Sequence, residues 1–123
     1  MVLGGVKMHI IAKDVIGSNI AVSAVKGEVL FNDLSAALNS NDTVELDFMG
    51  ITDLTTAFLN VAIGHLYKEF SSEELNVKLK ISNLDDLDKY LLMQVVERVK
   101  MNQQEEEDFR KLINEVLDDG DNS

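Results

Sequence analysis

The stretch Val44-Glu-Leu-Asp-Phe-Met-Gly-Ile51, continued by Thr55-Thr-Ala-Phe-Leu-Asn60 and Gly64, decides how this chain folds. Val44, Leu46 and Phe48 alternate with Glu45 and Asp47, the pattern of a strand with one buried face. Gly50 supplies a tight turn. The helix that follows is capped by Asp53 or Thr55 and runs to about residue 70, with the hydroxyls of Thr55 and Thr56 in its first turn. Phe58, Leu59, Ala62, Ile63, Leu66, Tyr67 and Phe70 give it a stripe broad enough to pack on a sheet. Gly64 within that helix costs about 1 kcal/mol relative to alanine, which a close approach by another backbone would explain.

Upstream, Val6-Lys-Met-His-Ile-Ile-Ala-Lys13 alternates roughly and is rich in β-branched residues, predicting a first strand. Residues 14–26 admit two readings: a turn at Gly17-Ser-Asn before a short helix through Ile20–Val25, or a second strand. From Gly27 onward Leu30, Phe31, Leu34, Ala37 and Leu38 fall on one helical stripe. Asn39-Ser-Asn-Asp42 ends that helix with side chains that bond their own backbone. Downstream, Val77, Leu79 and Ile81 alternate with Lys78 and Lys80, predicting a third strand over 76–82. Asn83 with Asp86 resembles a capping box for a helix bearing Leu84, Leu87, Leu91, Leu92, Val95, Val96 and Val99. Phe109, Leu112, Ile113, Val116 and Leu117 form a second stripe, supported by the pairs Glu106–Arg110 and Glu107–Lys111. Residues 102–108 are polar, so 84–118 is either one overhanging helix or two helices meeting near Asn102.

Strand alternating with helix gives an α/β layer, with a right-handed parallel crossover between 43–49 and 76–82. The 123 residues fit one domain. It divides into a body over 1–101 and an acidic helix and tail over 102–123. The net charge of −11 disfavours nucleic acid and anionic lipid as partners. Residues 105–123 alone hold eight acidic and two basic side chains. Without cysteine there are no disulfides, thiolate nucleophiles or cysteine-held metals. Apolar residues are too scattered for a membrane span and no signal pattern opens the chain, so a cytoplasmic protein is expected.

Conventional catalytic sets are missing from the pattern. His9 and His65 have no ligand spacing between them, and Gly4-Gly5 lacks the Lys and Ser/Thr of a phosphate loop. No enzyme, cofactor or metal is therefore expected. Asp47, near the carboxyl edge of its strand, is a ligand contact or a turn-bonding residue. With Asp53 it could approach Mg²⁺, although a third ligand is lacking. Thr55 and Thr56 either cap the helix or accept a phosphate, which a helix N-terminus stabilises.

Val44–Gly64 resembles a STAS domain, the fold of bacterial anti-sigma-factor antagonists and anion-transporter tails. It resembles more closely the STAS-like domains of unknown function found in many bacteria. Leu46-Asp47-Phe48, Gly50 and Ile51 match the STAS strand and turn, while Thr55, Thr56, Ala57 and Phe58 stand where STAS domains carry Asp-Ser-Ser-Gly. In the STAS-like pattern Leu46, Asp47, Phe48, Gly50, Thr55, Phe58, Asn60 and Gly64 all fit, and Ala57 replaces a Ser. Ser23 and Gly27 also sit where that family has small polar and Gly residues. The resemblance implies a small mixed or parallel sheet with helices mainly on one face. It further implies a regulatory protein-interaction module, contacted through Asp47, Gly50, Asp53 and Asn60. By analogy with STAS antagonists, Thr56 or Thr55 would be the phosphoacceptor of a histidine-kinase-like ATPase or serine/threonine switch kinase. The alternative is a small-ligand or nucleotide sensor using the same strand edge and helix N-terminus. Beyond the resemblance, Phe109, Ile113 and Leu117 are expected to centre a homodimer or a partner-bound helix.

Overall fold

The computed structural model describes residues 7–121, with side chains to residue 116. Its elements in chain order are β1 (Lys7–Ile11), α1 (Ala12–Ile16), β2 (Ile20–Ala21), α2 (Ala24–Ser40), β3 (Thr43–Asp47) and β4 (Asp53–Leu54). There follow α3 (Thr56–Leu59), a π-helical turn (Asn60–Gly64), α4 (Leu66–Glu69), α5 (Ser72–Lys78), β5 (Leu79–Ser82) and α6 (Asp86–Asp121). The main sheet is parallel, ordered β1-β3-β5, and β2 pairs with β4 in a separate parallel ladder. The class is α/β, with a small parallel sheet.

Side-chain alternation gives the sheet two unlike faces. Ile10, Val44 and Leu46 are buried, and Leu79 and Ile81 pack beside them from β5. Against this face lie Leu30, Leu34 and Leu38 of α2 and Phe58, Leu59, Ala62, Ile63 and Leu66 of the helical stretch 56–69. The opposite face carries Lys7, His9, Glu45, Lys80 and Ser82, with His9, Glu45 and Lys80 in register across the three strands. Parallel sheets are commonly covered on both faces; here one face is polar and largely exposed.

The α2 stripe is as its periodicity requires, and the helix starts at Ala24 because the Ser23 hydroxyl accepts from Lys26 N–H. Asn41 closes it, its amide donating to Ala37 O at 2.8 Å. Gly27 lets α2 cross the second helical stretch closely, since a Cβ there would stand 2.7 Å from Phe58 O. The close backbone expected at Gly64 is therefore found at Gly27. At Gly64 the near neighbours are side chains, with Val99 Cγ2 at 3.2 Å and Val95 Cγ1 at 3.7 Å from such a Cβ.

Several expectations are corrected. The first strand ends at Ile11, and Val6 lies outside the described residues. Over 14–26 the turn at Gly17 and the second strand are found, the strand only two residues long, and the helix through Ile20–Val25 is not. A helical turn precedes Gly17, which ends it at φ 69, and the strand pairing covers Ile20–Ala21. Asp53 is not a helix cap, because it pairs with Ile20 in the short ladder. The third strand is shorter than 76–82, and Val77 lies exposed in α5. That helix is set by a capping box: Ser71 Oγ accepts from Glu74 N–H while the Glu74 carboxylate accepts from Ser71 N–H. Asn83 does not cap α6 either; Asp85 does, accepting from Asp88 N–H at 2.8 Å.

Residues 84–118 hold one helix rather than two. The 36 residues of α6 span about 54 Å at 1.5 Å per residue. Val95 is buried, whereas every described side chain from Lys100 onward is exposed. Asn102–Asp108 has no proline or glycine to interrupt the hydrogen-bond ladder, so the helix continues off the body as an arm. Among the described residues no helix is long and apolar enough to cross a membrane.

Candidate functional site

After β3 the chain stays tied to the sheet, with Phe48 N–H donating to Ser82 O at 3.0 Å. It then turns through Gly50, whose φ of 86 lies where glycine has no Cβ penalty. Thr52 N–H donates to Asn19 O and Thr55 N–H to Ala21 O, which docks the loop beside β2. Asp53 is exposed and accepts from the Thr52 hydroxyl at 3.3 Å.

The two threonines differ. Thr55 is the N-cap: its hydroxyl donates to Val22 O at 2.8 Å and accepts from Phe58 N–H at 3.3 Å. Thr56 opens α3, half-buried, with its hydroxyl uncommitted among the described residues. Asn60, at the start of the π-helical turn, lies instead in an open cleft of about 1020 Å³ between that turn and α6, together with Gly64, Tyr67 and Arg98. Gln103 bridges the cleft by donating to Tyr67 O at 2.7 Å. π-helical turns are frequent at functional positions.

Asp47 is the one buried charged side chain among the described residues. Its Oδ1 accepts from Asn83 Nδ2 at 2.7 Å and from Met49 N–H at 2.8 Å. Its Oδ2 stands 2.9 Å from His9 Nε2. The Asn83 amide foremost, then the Met49 N–H, hold this carboxyl below the usual carboxylate range; burial opposes them, and His9 adds to the lowering. Asn83 reaches it from a left-handed backbone, φ 60, a conformation asparagine tolerates better than most residues. Beside this pair, Glu45 Oε2 accepts from Ser82 Oγ at 2.9 Å and lies 3.9 Å from His9 Nε2. Lys7 Nζ is 3.6 Å from the other oxygen, Oε1.

The residues singled out from sequence therefore do not form one cluster. Gly50, Asp53, Thr55 and Thr56 share the loop and helix start. Asp47 is engaged on the polar face of the sheet, and Asn60 faces α6. Asp47 and Asp53 share no hydrogen-bond partner among the described residues. Sequence reading missed His9, Glu45, Ser82 and Asn83 as companions of Asp47. The signal was present in the alternation: His9 and Glu45 occupy the non-core phase of adjacent strands, and only the register makes them neighbours.

On the arm, Phe109, Leu112 and Val116 are more than half exposed and Ile113 is 41% exposed. The side chain of Leu117 lies outside the described residues. Arg110 pairs with Glu106 at 2.7 Å, and Lys111 stands 3.9 Å from Glu107.

A family model described as STAS-like domain of unknown function (DUF4325) matches residues 26–89. The match runs from the first turn of α2 into the first turn of α6, leaving His9 and the arm outside it. No curated protein and no solved structure matches the chain.

Proposed function

We propose that this chain, which belongs to the family of STAS-like domains of unknown function, is a regulatory module that works by binding another protein chain. The observation that carries the proposal is the arm. Phe109, Leu112, Ile113 and Val116 lie on one stripe of a helix that has left its own body. Burying such a side chain contributes about 1.5–3 kcal/mol, so a stripe of four is a strong drive toward a partner surface. A protein helix or groove fits this stripe better than a small molecule does, because the stripe is convex and extended.

The body supplies the point of control. Thr56, not Thr55, is the proposed phosphoacceptor for a switch kinase, because the Thr55 hydroxyl is already committed to Val22 O and Phe58 N–H. A phosphate on Thr56 would sit at the start of the helical stretch 56–69, where free N–H groups favour negative charge. Small-ligand sensing at the strand edge has less support, since it needs Asp47 and the helix start to converge and no hydrogen bond joins them among the described residues.

Full-length protein and a form truncated after Gln104 should be compared by light scattering, alone and with captured partners. Loss of the arm should abolish the assembly while circular dichroism of the body persists, and Thr56→Asp should change partner binding without unfolding. An assembly that survives truncation, with partner binding indifferent to Thr56→Asp and Thr56→Ala, would remove the basis for this reading. A full-length assembly of two identical chains would identify the partner as a second copy.

A further inference from the structure

We propose that His9, Glu45 and Asp47 bind a divalent first-row transition cation such as Zn²⁺ on the polar face of the sheet. The site follows from strand register. His9 is paired with Glu45 across the β1–β3 ladder, and Asp47 lies two residues further along the same face of β3. One donor atom from each side chain lies within 4.8 Å of the other two. His9 Nε2 is 2.9 Å from Asp47 Oδ2 and 3.9 Å from Glu45 Oε2. Tetrahedral zinc, with bonds of about 2.05 Å, sets its donors about 3.3 Å apart. The observed spacings straddle that value, so small side-chain rotations suffice to close on an ion.

The surroundings hold the ligands in place. Asn83 Nδ2 and Met49 N–H both bind Asp47 Oδ1, and Oδ2 contacts His9 Nε2, so a metal would take Oδ2 and Nε2 in exchange for the hydrogen bond between them. Ser82 Oγ fixes the Glu45 carboxylate, and Lys7 approaches only the other oxygen of that group. Such outer partners orient ligands in metal sites. One imidazole with two carboxylates suits zinc or a neighbouring transition ion better than Mg²⁺ or Ca²⁺, which prefer all-oxygen shells. The two carboxylates also balance the dipositive charge. His9 is half exposed on an open face, so water can fill the remaining coordination positions.

Isothermal titration of the untagged full-length chain with Zn²⁺ alone, paired with NMR of the two histidine rings, tests the site. One ion should bind per chain, the His9 ring signals should shift, and those of His65 should stay. His9→Ala and Glu45→Gln should each weaken binding at least tenfold with circular dichroism unchanged. Asn83→Ala, which touches no metal, should weaken it by about 10- to 100-fold. His65→Ala should leave it unaltered, and excess Mg²⁺ should not displace the ion. Non-saturating uptake, unmoved His9 signals, or wild-type affinity in His9→Ala or Glu45→Gln would overturn the proposal. Should His9→Ala fail to fold, the wild-type ring shifts and Glu45→Gln decide the matter. None of these outcomes depends on whether the arm binds a protein.

Discussion

Replacing Gly27 with alanine places a methyl group in the seam where α2 crosses residues 58–62. The added carbon would stand 2.7 Å from Phe58 O, 3.1 Å from Val61 Cβ and 3.4 Å from Ala62 N, where ordinary contact begins at 3.4 Å. Two of those neighbours are backbone, so no side-chain rotation relieves the clash, and the helices must separate by about 0.7 Å across a tightly packed seam. Alanine in a helix is favoured over glycine by about 1 kcal/mol. Overpacking of a buried contact costs about 1–3 kcal/mol. Packing should win, because the close neighbours are backbone, leaving Gly27→Ala less stable by up to about 2 kcal/mol. Gly64→Ala is the internal control. Its nearest contact is the movable Val99 methyl at 3.2 Å, so propensity and crowding should nearly cancel. Urea denaturation followed by far-ultraviolet circular dichroism reads both variants on one scale. A Gly27→Ala protein more stable than wild type by about 1 kcal/mol, the propensity gain alone, would refute the close crossing.

Phe58 is fully buried against α2 and the sheet, so Phe58→Ala should cost about 3–5 kcal/mol in the same assay, and a loss under about 1 kcal/mol would misplace the helix. Asp47 supplies a pH test. Its folded pKa is lowered below 3.8, so it contributes stability above the unfolded value that is lost as pH falls through the folded one. The stability gap between wild type and Asp47→Asn should be full at about pH 6 and shrink below about pH 4. A gap constant across that range would show that Asn83 and Met49 do not hold the carboxylate.

What the sequence made legible was the strongly periodic part. The α2 stripe, the alternation through Val44 and Leu46, and the buried Phe58–Leu66 stripe each had only one period that fitted. The failures have physical causes. Val77, Leu79 and Ile81 alternate like a strand, but the capping box at Ser71–Glu74 holds Val77 in a helix; that signal lay in the sequence unread. β2 and β4 have two residues each, too short for any period. Asn83 looked like a cap because asparagine suits both caps and left-handed backbone, and only the fold brings Asp47 within its reach. Within the candidate site, Asp47 was legible from its motif. His9 was not, since a ligand set spread over two strands has no spacing until their register is known.

The sheet's uniform strand direction also bears on how the chain acquires its shape. No two of its three main strands can meet through a tight hairpin. β1 finds β3, and β3 finds β5, only after loops of roughly 35 residues have closed. Topologies of this kind reach their native state more slowly than helical bundles of similar size. The arm beyond Lys100 makes none of these long-distance pairings and can coil at the microsecond pace of an isolated helix. The chain should therefore show two kinetic phases on refolding, a fast helical one and a slower one that reports closure of the sheet.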